Sequence, residues 1–231
     1  LTCKAFSDTV FEALPSDDVY ALDAEKITHH FASGDPLFRE GEAEGGLWCV
    51  GAGLICERRR NAAGDRVPLR LRAAGAVLGL RSFITGGPTD VAAEALGPSR
   101  ACFIPAKTMR VLLSRNLNLA LAIVRGLLDE LSALEQRLLA LRPLSPRSRL
   151  AGLLLEFANQ IGVWRPNGSC AVRPALAVSD LAAIAGVPVA VAAETLKTLV
   201  NEGVVAVSAR RLEILNADRL REIAAQPSPP A

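Results

Sequence analysis

The sequence predicts an α+β chain: an amino-terminal antiparallel β-barrel, a long central helix and a carboxy-terminal winged helix-turn-helix. Three observations predict it. Between Ile27 and Pro105, short apolar runs are separated by closely spaced turn residues. From about Asn116 to Leu141, apolar residues recur in an unbroken heptad pattern. From Val178 to Leu215, two short helical segments flank a glycine turn and lead into a hairpin.

Composition sets the outer limits. The 231 residues suffice for one or two domains and a sizeable core. Half of them are hydrophobic, which excludes a disordered chain. A formal charge of +2 gives no overall electrostatic commitment to nucleic acid or membrane. The cysteines at 3, 49, 56, 102 and 170 are odd in number and show no CxxC or zinc spacing. That argues against a disulfide framework and fits a reducing cytoplasm. No secretory signal pattern is visible, and the longest uncharged apolar run, Leu181 to Ala193, contains Gly186 and Pro188 and is too short to span a bilayer. A cytoplasmic protein without a membrane partner is expected.

The elements follow in order. Phe6, Val10, Phe11 and Leu14 are spaced as a helix face, Pro15-Ser16-Asp17 interrupts it, and Asp18 to Glu25 reads as a second helix. Strands are expected at Ile27–Phe31, Leu47–Val50, Leu54–Arg59, Val67–Leu71, Val91–Ala95 and Ala101–Ile104. Arg58, Arg59, Arg60, Arg66, Arg70 and Arg72 flank one hairpin and read as a solvated face. Helical pattern resumes at Ala106 and runs to Arg142-Pro143. Within it Ala120, Val124, Leu127, Leu131, Leu134, Leu138 and Leu141 form the heptad seam, suited to meeting a second copy of the chain. A second line, Leu117, Leu121 and Leu128, is expected to pack back onto the barrel. Ser145-Pro146 caps a helix continuing to Ile161, Ser179 caps a short helix ended by Gly186, and a further helix runs from Pro188 to Asn201. Val204–Val207 and Leu212–Leu215 form a hairpin, and Asn216 to Ala225 a last helix. The expected domains are 1–115, a sensor barrel; 116–142, a dimerisation helix; and 143–231, the winged helix-turn-helix.

In this order these pieces resemble the CRP/FNR transcription regulators. The resemblance is carried by Gly34 to Glu42, Gly75 to Gly79, Asp180 to Val187, Glu194 to Val207 and Arg211 to Leu215, and it spans nearly the whole chain. It implies a jelly-roll, cupin-like barrel that senses a signal, a homodimer, and double-stranded DNA as partner, and it leaves RNA polymerase open as another. By position it assigns DNA contact to Ser179, Val189, Ala190, Ala193, Glu194 and Lys197, with Arg210 and Arg211 in the wing. Arg147 and Arg149 are further candidates for phosphate contact.

The departures from the family bear on function. Its cyclic-nucleotide branch holds ribose and phosphate with Phe-Gly-Glu and a following Arg. Here those places hold Leu78-Gly79-Leu80 and Asp90, so no tight cyclic AMP binding is expected. Its oxygen-sensing branch needs four cysteine thiolates for an iron–sulfur cluster. Cys102 resembles the barrel ligand, but only Cys3 stands near the amino terminus, so no four-cysteine cluster is expected from this chain. Haem stays open at His29 or His30, adjacent residues that point to opposite faces of a strand. The family's recognition helix carries Arg-Glu and then Ser-Arg. Here Val189-Ala190 and Ala193-Glu194 stand there, and from Ser179 to Gly203 Lys197 faces Asp180, Glu194 and Glu202, a net of −2. Two readings result: a DNA-binding regulator with an atypical recognition helix, or a family member that has lost operator binding and acts through protein contacts. No nucleophile–base pair, metal set or phosphate loop points to an enzyme.

Overall fold

A computed structural model describes residues 9–43, 45–62, 64–140, 144–172, 176–208 and 211–226, with the backbone alone at Arg137, Ala140 and Arg211. Cys3, Phe6, Leu141, Arg142, Pro143 and Arg210 lie outside the described residues. The chain divides into two compact units, Leu1–Ser132 and Ala133–Ala231.

The first unit begins with a 3-10 turn, Val10–Ala13, capped by the Thr9 hydroxyl, and helix α1, Ser16–Glu25. Two four-stranded antiparallel sheets follow. One has the order β1-β8-β3-β6, built from Ile27–Phe31, Ser99–Pro105, Gly46–Ala52 and Val77–Leu78. The other has the order β2-β7-β4-β5, built from Pro36–Phe38, Ala92–Ala95, Ile55–Arg60 and Arg66–Arg72. The expected barrel is thus two open sheets, a sandwich of jelly-roll type.

Strand β3 shows why the sandwich holds. Its residues are buried from Gly46 to Gly51 because both its faces are covered. Trp48 and Val50 pack with Phe38, Ile55, Leu78 and Ala93 between the sheets. Leu47 and Cys49 pack on the other side with Phe11, Leu22, Met109 and Ile123. Burying a side chain of this size contributes about 1.5–3 kcal/mol. Gly53 turns the chain from β3 into β4 at φ +89, where a Cβ would overlap Ser99.

Six expected strands are present, with ends shifted by one or two residues. Strands β2 and β6, at three and two residues, are too short to show alternation. Helix α2, Leu80–Thr85, lies between two left-handed glycines, Gly79 and Gly86, and was also not expected. The helix expected from Ala106 onward is two helices. α3, Ala106–Arg115, ends at Asn116, whose amide donates to the Leu112 carbonyl at 2.9 Å and to Asp18 at 2.7 Å. α4, Leu117–Ala140, then leaves at a bend of 109°. This break resets which side of the helix meets the sandwich. Leu119 and Ile123 are buried there, whereas Leu117, Leu121 and Leu128 are exposed, contrary to expectation.

The second unit is compact around helix α5, Pro146–Ile161, which starts with Ser145 accepting from the Ser148 N–H and Pro146 in the first turn. Helices α6, Val178–Ala185, and α7, Val189–Asn201, meet at 107° through Gly186-Val187-Pro188. That angle is typical of helix-turn-helix pairs. The N-cap of α6 is Ala177, not Ser179. Val178 lies beside Leu181 and Leu196 around a small apolar cavity, and this packing draws the first turn back. A four-stranded antiparallel sheet has the order β11-β12-β10-β9, from Val205–Ser208, Arg211–Ile214, Cys170–Val172 and Gly162–Trp164. β9 begins at the glycine expected only to end α5. Helix α8, Ala217–Ala224, closes the unit with Leu220 and Ile223 buried.

Candidate functional site

A cleft of about 280 Å³ opens in the first unit, walled by β4, β5, α2 and α4. Most of its wall is apolar, including Phe38, Leu78, Val91 and Leu127. Four charged side chains in its wall form one cluster. The Nε of Arg70 donates to Glu57 at 2.5 Å and that of Arg72 at 2.7 Å. Their Nη1 atoms donate to Glu130 at 3.0 Å and 2.5 Å. Arg70 and Arg72 are two apart on β5 and therefore share a side of it. Glu57 lies across from Arg70 on β4, and Glu130 comes from α4.

Burial favours the neutral form of Arg72, but the Glu57 and Glu130 carboxylates outweigh it and hold its pKa above the ordinary value. Burial likewise pushes Glu130 up, and the hydrogen bond and charge of Arg72, with Arg70, bring it below the usual carboxylate range. This quartet was missed in the sequence, where Arg70 and Arg72 read as part of a solvated face. That reading holds for Arg59, Arg60 and Arg66, which are exposed. The available signal was Arg-x-Arg on one strand face together with a lone glutamate after Leu54-Ile55-Cys56.

Leu80 begins α2 at the rim of this cleft, and Asp90 lies nearby. Asp90 forms ion pairs with Arg81 at 3.0 Å and Arg59 at 3.6 Å, so its charge is compensated. His29 and His30 are exposed on β1, with the His29 ring 5.2 Å from Trp48. Cys49, Cys56, Cys102 and Cys170 are buried and form no disulfide among the described residues, and burial pushes the Cys170 thiol up. Among the described residues no group of three or more His, Cys, Asp or Glu could hold a metal ion.

In the second unit, α7 buries Ala192, Leu196 and Leu199 at helical spacing. The opposite face carries Val189, Ala190, Ala193, Glu194 and Lys197 outward, with Val191 and Val200 beside them. Ser179 is exposed in the first turn of α6. Arg211 belongs to β12, described by its backbone alone. Arg147 donates to Glu202 at 2.5 Å and holds that carboxyl below its ordinary range. Arg149 donates through Nη1 to the Gly186 carbonyl at 3.0 Å, and its Nε is buried without a partner among the described residues. Both arginines are thus engaged on the helix-turn-helix itself.

On α4, Val124, Leu131, Leu134 and Leu138 of the seam are exposed, Leu127 is exposed at the cleft, and Ala120 is half-buried. Leu117, Leu121 and Leu128 add to this outward apolar face.

A sandwich with a cleft, a long helix and a helix-turn-helix define a class of two-domain sensor and DNA-binding proteins. Residues 28–116 match the family model of the cyclic nucleotide-binding domain, and residues 148–223 that of the Crp-like helix-turn-helix domain. The fumarate nitrate reduction regulatory protein of Klebsiella oxytoca is 24% identical over 193 residues, covering 84% of this chain and 76% of that protein. FixK2 from Bradyrhizobium japonicum has a similar fold, with a TM-score of 0.73 at 20% identity over 87% of this chain and 98% of that one. A CRP/FNR-family transcriptional regulator from Thermus thermophilus gives 0.69 at 22% identity, over 87% of this chain and 100% of that one. The chain belongs to the CRP/FNR family of transcription regulators, which are DNA-binding proteins and not enzymes.

Proposed function

We propose that this regulator is a cytoplasmic homodimer that reads DNA through an apolar recognition face and answers to a signal other than a cyclic nucleotide. The carrying observation is α7, which buries its packing residues and turns Val189, Ala190 and Ala193 outward. Apolar side chains of this size suit thymine methyl groups in the major groove. Phosphate contact then falls to Lys197, Arg210 and Arg211. The outward apolar face of α4 supports pairing with a second copy, which would set two α7 helices on successive grooves.

Leu80 and Asp90 support the loss of the nucleotide site. Leucine offers the ribose hydroxyls no acceptor, and Asp90 brings a carboxylate, already paired, to the phosphate position. Titration calorimetry with cyclic AMP is expected to give no micromolar binding, and micromolar affinity would overturn this part. The four described thiols are buried on separate strands, which supports a signal other than a four-cysteine iron–sulfur cluster; haem at His29 or His30 is read from the absorbance of the purified protein.

One observation favours a second reading. The net charge of −2 from Ser179 to Gly203 opposes phosphate binding, although Arg147 neutralises Glu202. On that reading the protein acts through protein contacts, RNA polymerase or another regulator. A mobility-shift assay against a random-sequence library separates the two. Enrichment of a two-fold operator is expected; retention that is only salt-sensitive and sequence-blind leaves the adaptor reading.

A further inference from the structure

We propose that the cleft binds a small carboxylate with an apolar body, which takes the place of Glu130 on Arg70 and Arg72. This rests on the reading of the protein as a sensor and names the chemistry that its cleft would sense. Each of the two guanidinium groups divides its donors between two carboxylates: Nε serves Glu57 and Nη1 serves Glu130. The planar guanidinium fork matches a carboxylate better than any other small anion of single charge.

The two glutamates differ in how firmly they belong to the site. Glu57 has 3% of its side chain exposed and is fixed in the wall of β4. Glu130 has 35% exposed and reaches in from α4, so returning it to water costs less than releasing Glu57 would. It already occupies the arginine pair as a ligand's carboxylate would. The same cleft is lined by the apolar side chains of Phe38, Leu78, Val91 and Leu127, and its volume of about 280 Å³ is close to that of the smallest ligand pockets. That selects a compact aromatic or branched body rather than a nucleotide. Charge selects in the same direction. Replacing one carboxylate by another leaves the two arginines balanced, whereas a phosphate dianion adds a negative charge beside Glu57 and Asp90.

Occupancy would also have a consequence for α4. Glu130 is the helix's ionic tie to β5, and the next residue, Leu131, belongs to the outward apolar seam. A ligand that binds better when Glu130 is released shifts the helix toward whatever arrangement the free Glu130 permits.

The test is titration calorimetry on the full chain with phenylacetate and octanoate, using inorganic phosphate as the contrast. At least one carboxylate is expected to bind. Glu130→Ala, which removes the internal competitor, is expected to bind it about tenfold or more tightly, since a charge-assisted hydrogen bond no longer has to be broken. Arg72→Gln is expected to lose it. Should Arg72→Gln fail to fold, Glu130→Ala alone still decides. Absence of carboxylate binding to both wild type and Glu130→Ala, equal affinity in the two, or phosphate binding as tight as the carboxylates would each overturn the proposal. No DNA enters these titrations, so a failed operator search and a failed cleft are told apart.

Discussion

In the first unit, two arginines and two glutamates are gathered in the wall of a largely apolar cleft, with Glu57 at 3% exposure. On α7 of the second unit, Val189 is 52% exposed and Val191 38%, in the region where relatives of the family place base-reading side chains. Charge is thus concentrated in the cleft of the first unit, whereas α7 turns apolar side chains outward. Each region has its own packed interior. Trp48, Leu78 and Ala93 fill the sandwich, and Ala192, Leu196 and Leu199 seat α7. Fold and contact chemistry sit on different residues here: buried positions carry the scaffold, and exposed or cleft-lining positions carry the polar and apolar surfaces available for contact.

Pairing of two copies through α4 carries the largest expected effect. Leu131→Asp with Leu134→Asp places two charges per chain on the outward face of α4. Leucine burial at about 1.5–3 kcal/mol each is lost in both subunits, and the carboxylates must be desolvated. Light scattering is expected to give a monomer. A dimer that persists would place the interface elsewhere.

The next effect breaks the sensor half. Glu57→Ala strands Arg70 and Arg72 with half their partners, and removing one member of a buried pair costs about 3–5 kcal/mol. Denaturant unfolding should show a loss near the lower figure, because the arginines are 29% and 15% exposed. A loss under about 1 kcal/mol would mean that water replaces the carboxylate and that the quartet is incidental.

How far these regions could be read in advance differs in the same way. The face of α7 follows only in part from local spacing: the apolar residues of the sequence are Val191, Leu196, Leu199 and Val200, of which Leu196 and Leu199 are buried with Ala192 while Val191 and Val200 are exposed. The strands were legible because turns separate apolar runs. The quartet was not, since Arg70 and Arg72 find Glu130 across 60 and 58 residues of chain. The bend at Asn116 was hidden for a related reason. Apolar residues continue on both sides of it, and only the contact of Asn116 with Asp18 marks the place. With the bend unseen, the face of α4 that meets the sandwich was assigned to Leu117, Leu121 and Leu128 instead of Leu119 and Ile123.

Two smaller effects sharpen the recognition half. Glu194→Arg reverses a charge on the outward face of α7 and is expected to tighten DNA binding about tenfold, with a steeper salt dependence. Unchanged affinity would argue that this face does not enter the groove. The scaffold behind it depends on the start of α5, where the Ser145 hydroxyl accepts from the Ser148 N–H at 3.1 Å. Ser145→Ala should cost about 1 kcal/mol and Ser145→Gly only a few tenths, since glycine leaves the cap open to water. Equal losses would assign the effect to the Ser145–Ser148 hydroxyl contact instead.

The smallest effect is a pH dependence confined to the sensor half. The carboxyl of Glu130 is held below its ordinary value in the folded protein, chiefly by Arg72 against the opposing effect of burial. A group whose folded pKa is depressed contributes stability above its unfolded pKa and loses it as pH falls through the folded one. Wild type should therefore exceed Glu130→Gln in urea midpoint at pH 7, and the gap should close as pH falls below the usual glutamate range. Arg72, its pKa held above the ordinary value, stays charged throughout this window. Glu130 is about one-third exposed, which keeps the gap modest through solvent screening. A gap that stays constant down to about pH 3 would mean that Glu130 acts through packing and not through its charge.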